Sequence, residues 1–245
     1  SSASQPTGSP RQGSDRTMDD TLRLSRGVLY AQDGPIKVKR IGKGAFSVAM
    51  ASLDVNPRTG ERDVFLFSDD DTSDKELLSM AHDADERNPH IPKVEKFGYT
   101  RDKTVYVMPL YKSPLRKGDD PKGWKDYLAV KKCLDTAIRS LGHEASGYDI
   151  NFATLECARE AGVRQSVADA LETLVDTAAN YGDAYQFEFS PRNLATDARG
   201  NLVLLDVLFD KEALLRRRKA LYERAQATRF RNPSRRAKPA RGDRR

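Results

Sequence analysis

The apolar residues of this chain change their spacing about midway along it, and this change constrains the fold more than any other feature. Up to about residue 112 they occur in short runs between turn signals such as residues 56–60, a pattern typical of β-strands. Ser73, with Glu76 three positions later, has the sequence pattern of a helix capping box. We therefore predict one helix inserted after the third of five antiparallel strands, at residues 36–41, 46–50, 64–67, 94–99 and 104–110.

The second half of the chain has helical spacing. Apolar residues recur every three or four positions from Trp124 to Leu141 and, more regularly, from Val163 to Ala178, which predicts two amphipathic helices. Residues 142–162 between them are expected to form a less regular connection. A small hairpin then precedes a last helix from about Lys211. The predicted fold class is α+β, with a small antiparallel five-stranded lobe followed by a reduced helical lobe.

Four segments follow from these patterns and from the charge. Residues 1–25 have too few apolar side chains to order themselves, residues 26–112 form the strand-rich lobe, 113–215 the helical lobe, and 216–245 a basic helix or tail. Residues 211–245 hold fourteen Lys or Arg and three acids, whereas residues 1–210 carry a net charge of −5. The basic segment is either a solvated, partly helical extension or a docking segment for nucleic acid or an acidic protein surface.

The composition excludes several classes of protein. There is no run of eighteen apolar residues, which excludes a membrane-spanning helix. Residues 1–25 lack an apolar core, which excludes a secretory signal there. With Cys133 and Cys157 as its two cysteines, the chain is expected to lack a disulfide framework and to reside in a reducing cytoplasm. These cysteines and the three histidines do not have the spacing of a zinc site.

Three motifs indicate a chemistry. In one motif, Glu188 stands five positions before Asn193. Another motif is a predicted strand that ends near Asp206. A carboxylate that orients a hydroxyl, with an Asn and an Asp that hold Mg²⁺ on ATP phosphates, is an arrangement used for phosphoryl transfer. The remaining motif, which comes first along the chain, is a glycine-containing loop whose backbone amides can bind phosphate. It comprises Gly42, Lys43, Gly44, Ala45, Phe46 and Ser47. Each motif alone also fits an ordinary turn or strand end, but their order favours a phosphotransferase.

In these motifs the sequence resembles the protein-kinase superfamily, and in particular the early serine/threonine protein kinases of short-tailed bacteriophages. The resemblance covers about residues 36–210 and is carried by IGKGAFSVA, EFSPRN and LLDV. It implies a two-lobed fold with ATP and Mg²⁺ in the cleft, Glu188 at the position of the catalytic acid, Asn193 and Asp206 as magnesium ligands, and Glu76 as the helix glutamate of the small lobe. It also implies autophosphorylation and modification of host proteins early in infection, including RNA polymerase or RNA-processing machinery.

The sequence also departs from this family. Leu66 stands where the family has the strand lysine that holds the ATP phosphates, and Lys43 is either its substitute or a solvent-exposed turn residue. Glu188 is one methylene longer than the usual Asp, and misplacement by about 1 Å can cost about 100-fold in rate. Three hypotheses follow: a minimal active kinase, a pseudokinase that acts by binding a host protein, and a scaffold whose basic tail binds nucleic acid or polymerase. We adopt the first, with Ser234 and the Ser-rich N-terminus as candidate autophosphorylation sites.

Overall fold

The computed structural model describes residues 21–44, 46–69 and 73–231, with side chains up to residue 227. Most of the predicted N-terminal tail, the end of the basic tail with Ser234, and Ala45 of the glycine loop lie outside the described residues. Within the described ranges, no helix combines the length and the apolar character needed to cross a bilayer.

The first half of the chain forms one antiparallel sheet of seven strands. In chain order these are β1 to β7, at Arg23–Ser25, Val28–Ala31, Gly34–Lys43, Ser47–Val55, Arg62–Asp69, Glu95–Tyr99 and Lys103–Pro109. Their order in the sheet is β1-β2-β3-β4-β5-β7-β6. The last five in sequence are the predicted strands, but β1 and β2 precede them, so the sheet is larger than the five strands predicted. Arg26 and Gly27 form the turn between the two extra strands with φ of 47° and 76°, as tight hairpins require. Residues 21–25 therefore belong to the sheet and not to a disordered tail.

The sheet is curled, and its two faces bury different residues. The Leu22 backbone N–H donates to the Tyr99 carbonyl at 2.6 Å, which joins the chain ahead of β1 to the end of β6 at the opposite edge. Phe65 and Phe67 of β5 pack inside the curl. Leu66, between them, points to the other face and packs with the helical half, because successive strand residues alternate in direction.

The helices confirm the predicted helix after β5 and the predicted helical half, with two corrections. The first helix follows β5 as predicted, but in the described structure the Ser73 side chain makes no capping hydrogen bond, so the capping box does not form. A helix also occupies most of the predicted irregular connection. Its buried face includes the polar Asn151 and Thr154 and its outer face carries the exposed Tyr148 and Phe152, so its apolar periodicity is weak. The helices are Asp74–Ala84, Pro121–Leu141, Gly147–Glu160, Gln165–Ala179 and Lys211–Arg231, numbered α1 to α5.

A disulfide joins Cys133 of α2 to Cys157 of α3. These two helices pack against each other, which brings the Cα atoms of the two cysteines to 5.6 Å although they are 24 residues apart in sequence. The expectation that two cysteines give no disulfide framework did not anticipate this bond, because helix packing rather than sequence spacing sets the distance between them.

Two short antiparallel ladders organise the segment between α4 and α5. The loops that they bring together contain Glu188, Asn193 and Asp206. The ladders pair β8 (Tyr185–Phe187) with β11 (Leu208–Asp210), and β9 (Ala195–Thr196) with β10 (Leu202–Val203).

Candidate active site

An open cleft of about 1330 Å³ lies between the sheet and the helical half. Its sheet wall contains the glycine loop and Leu66, and its opposite wall contains the loops after β8 and β10. Of the predicted site residues that the structure describes, all except Glu76 line this cleft, namely Gly42, Lys43, Gly44, Phe46, Ser47, Glu188, Asn193 and Asp206. Residues up to 164 positions apart in sequence are thus brought to one place.

One turn of 3-10 helix, Pro191–Asn193, shapes the loop that carries Glu188. The Asn193 backbone N–H donates to the Ser190 carbonyl at 3.0 Å, and the Asn193 side-chain Nδ2 donates to the Glu188 backbone carbonyl at 3.4 Å. The Asn193 Oδ1 is therefore the side-chain atom available to a ligand. The Glu188 carboxylate is 45% exposed and lies 3.3 Å from the Arg192 guanidinium, so it is accessible as a proton acceptor.

Two backbone hydrogen bonds fix this loop to the segment that carries Asp206. The Asp206 N–H donates to the Asn193 carbonyl at 3.0 Å, and the Glu188 N–H donates to the Val207 carbonyl at 2.8 Å. The Asp206 side chain is 49% exposed. The three polar side chains predicted from sequence are therefore carried by two hydrogen-bonded backbone segments that line the cleft.

The structure adds a residue that the sequence analysis did not select, Lys75 of α1. Its ammonium lies 2.8 Å from Oδ1 of Asp206 and 3.3 Å from Oδ2 of Asp74, and its side chain is only 5% exposed. Lys75 lies on the buried face of α1, one turn before Leu78. A lysine on an otherwise apolar helix face is the sequence signal that could have identified it, because lysine is rarely buried without a partner.

The position of Lys75 changes the expected arrangement of this cleft. Leu66, at the strand position where a lysine is absent, is 6% exposed and contributes an apolar wall. Lys43 is exposed at the end of β3. Glu76, predicted to face the cleft from α1, is exposed and does not line it. Helix α1 therefore presents a lysine to the cleft where a glutamate was expected.

The electrostatics keep Lys75 charged. Burial opposes the ammonium form, but the carboxylates of Asp206 and Asp74 more than offset this effect and hold the pKa of Lys75 above its ordinary value of 10.5. Lys75 is therefore a fixed positive charge at neutral pH. A preorganised ammonium whose side chain is shielded from water can stabilise negative charge on a phosphate.

Helix α5 forms one side of the cleft and contacts the glycine loop. Leu214 and Arg218 line the cleft. The Arg217 guanidinium lies over the Phe46 ring, 5.1 Å from its centroid, and 3.4 Å from Oδ2 of Asp69. The first two turns of the basic segment are thus part of the folded body, and they connect it to the sheet.

The oxygen ligands in the cleft suit Mg²⁺ bound together with a nucleotide. Across the parts of the chain that are described, no group of three His, Cys, Asp or Glu side chains is placed to hold a metal by itself. Magnesium is commonly bound by one or two protein oxygens plus substrate phosphates and waters. The half-exposed carboxylate of Asp206 and Oδ1 of Asn193 fit that donor set.

No family model and no curated protein matches the sequence. Among solved structures, the chain is similar to an aminoglycoside phosphotransferase, a thermostable mutant in a ternary complex with AMP-PNP and hygromycin B. The similarity has a TM-score of 0.35 and 13% sequence identity, and covers 83% of this chain and 81% of that chain.

Proposed function

We propose that the protein is an ATP-dependent phosphotransferase of the protein-kinase type. One observation carries the proposal: a single cleft combines a glycine loop, a buried lysine paired with Asp206, and the carboxylate and amide of Glu188 and Asn193. Each of these groups has a part in phosphoryl transfer, and their convergence from distant parts of the sequence is not required by packing alone.

The side chains divide between binding and proton transfer. The glycine loop covers the nucleotide phosphates, and Lys75 contacts them as the fixed cation of the cleft. Glu188 orients the acceptor hydroxyl and accepts its proton. The acceptor oxygen forms a bond to the γ-phosphorus while the bond from that phosphorus to the β–γ bridging oxygen breaks, and ADP leaves with the released electron pair.

A magnesium ion bound with ATP would be held by Asn193 and Asp206, and it neutralises phosphate charge when bound. The protein's own contribution is to keep these two ligands together through the bond from the Asp206 N–H to the Asn193 carbonyl. Lys75 holds Asp206 in place from the α1 side.

We extend the proposal to serine and threonine hydroxyls of proteins as acceptors, including those of the chain itself. Host proteins of a bacteriophage infection, such as transcription or RNA-processing machinery, are the proposed targets, and the bacterial cytoplasm is the proposed location. These parts rest on the resemblance of the sequence motifs.

Transfer of label from Mg²⁺ and γ-labelled ATP tests the proposal. The purified protein is incubated with serine- and threonine-containing peptides, beside the variant Asp206→Asn. This substitution removes the carboxylate charge but keeps the side-chain size and the backbone bond to Asn193. We expect label on the peptides or on the protein itself, and background label with the variant. Absence of label from the wild type, with acceptors present, would refute the proposal.

A second candidate function, binding without turnover, is favoured by Leu66 in the strand position of the phosphate-binding lysine. A protein of this kind would bind nucleotide or a host protein and give no labelled product. Calorimetric titration with Mg-ATP on the same samples distinguishes the two functions, because binding without label supports the second and label supports the first.

A further inference from the structure

Helix α2 carries an exposed stripe that the phosphotransfer chemistry does not use. The sequence pattern places Leu128 on the buried face of this helix, but the structure leaves its side chain 49% exposed. Residues on the same stripe, three or four positions apart, line a shallow groove of about 550 Å³, and His143 lies at its end; the stripe comprises Leu128, Lys131, Lys132, Asp135, Ile138 and Arg139. We call this surface the α2 groove.

The α2 groove is continuous with the cleft. Lys131, Asp135 and Ile138 line both. At the far end of the groove, the Lys211 ammonium donates to the His143 carbonyl at 3.3 Å, so the start of the basic helix α5 lies beside it. A chain segment that places a hydroxyl at the catalytic loop can therefore continue along α2 without leaving the surface.

The charge of the α2 groove is positive, although residues 1–210 are net negative. Lys131 and Asp135 form an ion pair at 3.0 Å, so Lys132 and Arg139 determine the net charge of the stripe. Both are exposed. In the loop that carries Glu188, Arg192 is 78% exposed. Acidic groups of a partner complement this distribution.

The length of the stripe determines how many residues of a bound peptide can contact it. From Lys131 to Arg139 the helix rises about 12 Å, which an extended peptide spans with about four residues. We propose that the α2 groove binds acidic side chains of the protein substrate, spread over about four residues of the segment that continues from the hydroxyl that receives the phosphate. The proposal rests on the phosphotransfer function above, since it names the substrate class of the same site. Ser234, which has Arg235 and Arg236 beside it, is a poor acceptor for such a groove.

Peptide binding tests this proposal without depending on turnover. Two fluorescent peptides carry the same central serine, flanked on both sides by four aspartates in one and four asparagines in the other. Fluorescence anisotropy with the wild-type protein should show about tenfold tighter binding of the acidic peptide at low salt, and the difference should shrink as salt screens the charges. Labelled phosphate transfer to the two peptides should show the same preference in kcat/KM.

The double variant Lys132→Glu/Arg139→Glu reverses the charge of the stripe and should lose the preference. Lys122→Glu is the matched control, because Lys122 is exposed on the same helix but lies outside the stripe, and it should keep the preference. Equal binding of the two peptides by the wild type, or full preference in the double variant, would overturn the proposal.

The outcomes separate this proposal from the phosphotransfer function. Transfer of phosphate to both peptides with equal binding and equal kcat/KM overturns the α2 groove and leaves the phosphotransferase intact. Preferential binding that the double variant abolishes supports the groove even where no phosphate is transferred. Binding of a short single-stranded RNA in place of the acidic peptide, also lost in the double variant, overturns the proposal in favour of a nucleic-acid partner.

Discussion

Replacement of Lys75 by Met tests whether this lysine acts on the substrate or only holds the fold. Methionine keeps most of the aliphatic length and fills the same buried space, and Asp206 stays solvated because its side chain is 49% exposed. Asp74, whose side chain is only 15% exposed, also loses its ammonium partner, so we expect the free energy of unfolding to fall by about 2–3 kcal/mol. Loss of one preorganised charge in the cleft should lower the transfer rate about 100- to 1000-fold, or about 3–4 kcal/mol of transition-state stabilisation.

The assay combines urea unfolding with labelled phosphate transfer, using Lys43→Met as the matched control. Lys43 is the exposed lysine of the glycine loop. Its replacement should therefore lower the rate of phosphate transfer by less than about tenfold. Loss of activity with Lys43→Met and retention with Lys75→Met would refute the assignment. A loss of stability of more than about 5 kcal/mol with Lys75→Met, or a variant that does not fold, would show instead that the lysine is structural.

The raised pKa of Lys75 also predicts how the stabilities of the wild type and of Lys75→Met depend on pH. A group whose pKa is higher in the folded than in the unfolded state stabilises the fold below its unfolded value, here 10.5, and loses that effect as pH rises through its folded value. The stability difference between the wild type and Lys75→Met should therefore be constant from about pH 6 to 9 and change only above about pH 10. A difference that varied near neutral pH would contradict a permanently charged Lys75.

Three further predictions concern the fold and the proton acceptor. The disulfide of Cys133 closes a span of 24 residues, so reduction should lower the unfolding free energy by about 3.5 kcal/mol; peptide mapping without reductant should recover the cross-linked peptides, and their absence would contradict the pairing. A Cβ at Gly147 would overlap the backbone carbonyl oxygen of Tyr185, whereas one at Gly118 meets open space. In urea unfolding, Gly147→Ala should lower the free energy of unfolding by about 3 kcal/mol and Gly118→Ala by under about 0.5 kcal/mol. Equal effects would refute this packing. Glu188→Gln should lower kcat for transfer at least about 100-fold without weakening Mg-ATP binding, and full activity would exclude Glu188 as the proton acceptor.

The sequence predicted those parts of the fold whose signals are local. The five longer strands and the helices α1, α2, α4 and α5 follow from apolar spacing, and the cleft residues from short motifs. The hairpin of β1 and β2 was not predicted, because its strands are three and four residues long in a polar segment. Helix α3 was not predicted, because Asn151 and Thr154 stand at buried positions.

The parts of the site that the sequence did not predict depend on distant contacts. Lys75 meets Asp206 across 131 residues, and spacing in sequence carries no information about such a pair. The family resemblance favoured Glu76 on α1, whereas the turn of the helix places its neighbour Lys75 in the cleft. The disulfide depends in the same way on how α2 and α3 pack.

A crystal structure of the protein with Mg²⁺ and a non-hydrolysable ATP analogue tests the central claim most directly. We predict that the triphosphate lies under the glycine loop, with a phosphate oxygen within hydrogen-bond distance of the Lys75 ammonium and the cation on Asn193 and Asp206. A nucleotide bound outside this cleft, or one whose phosphates contact Lys43 while Lys75 stays bound to Asp206 alone, would contradict the account.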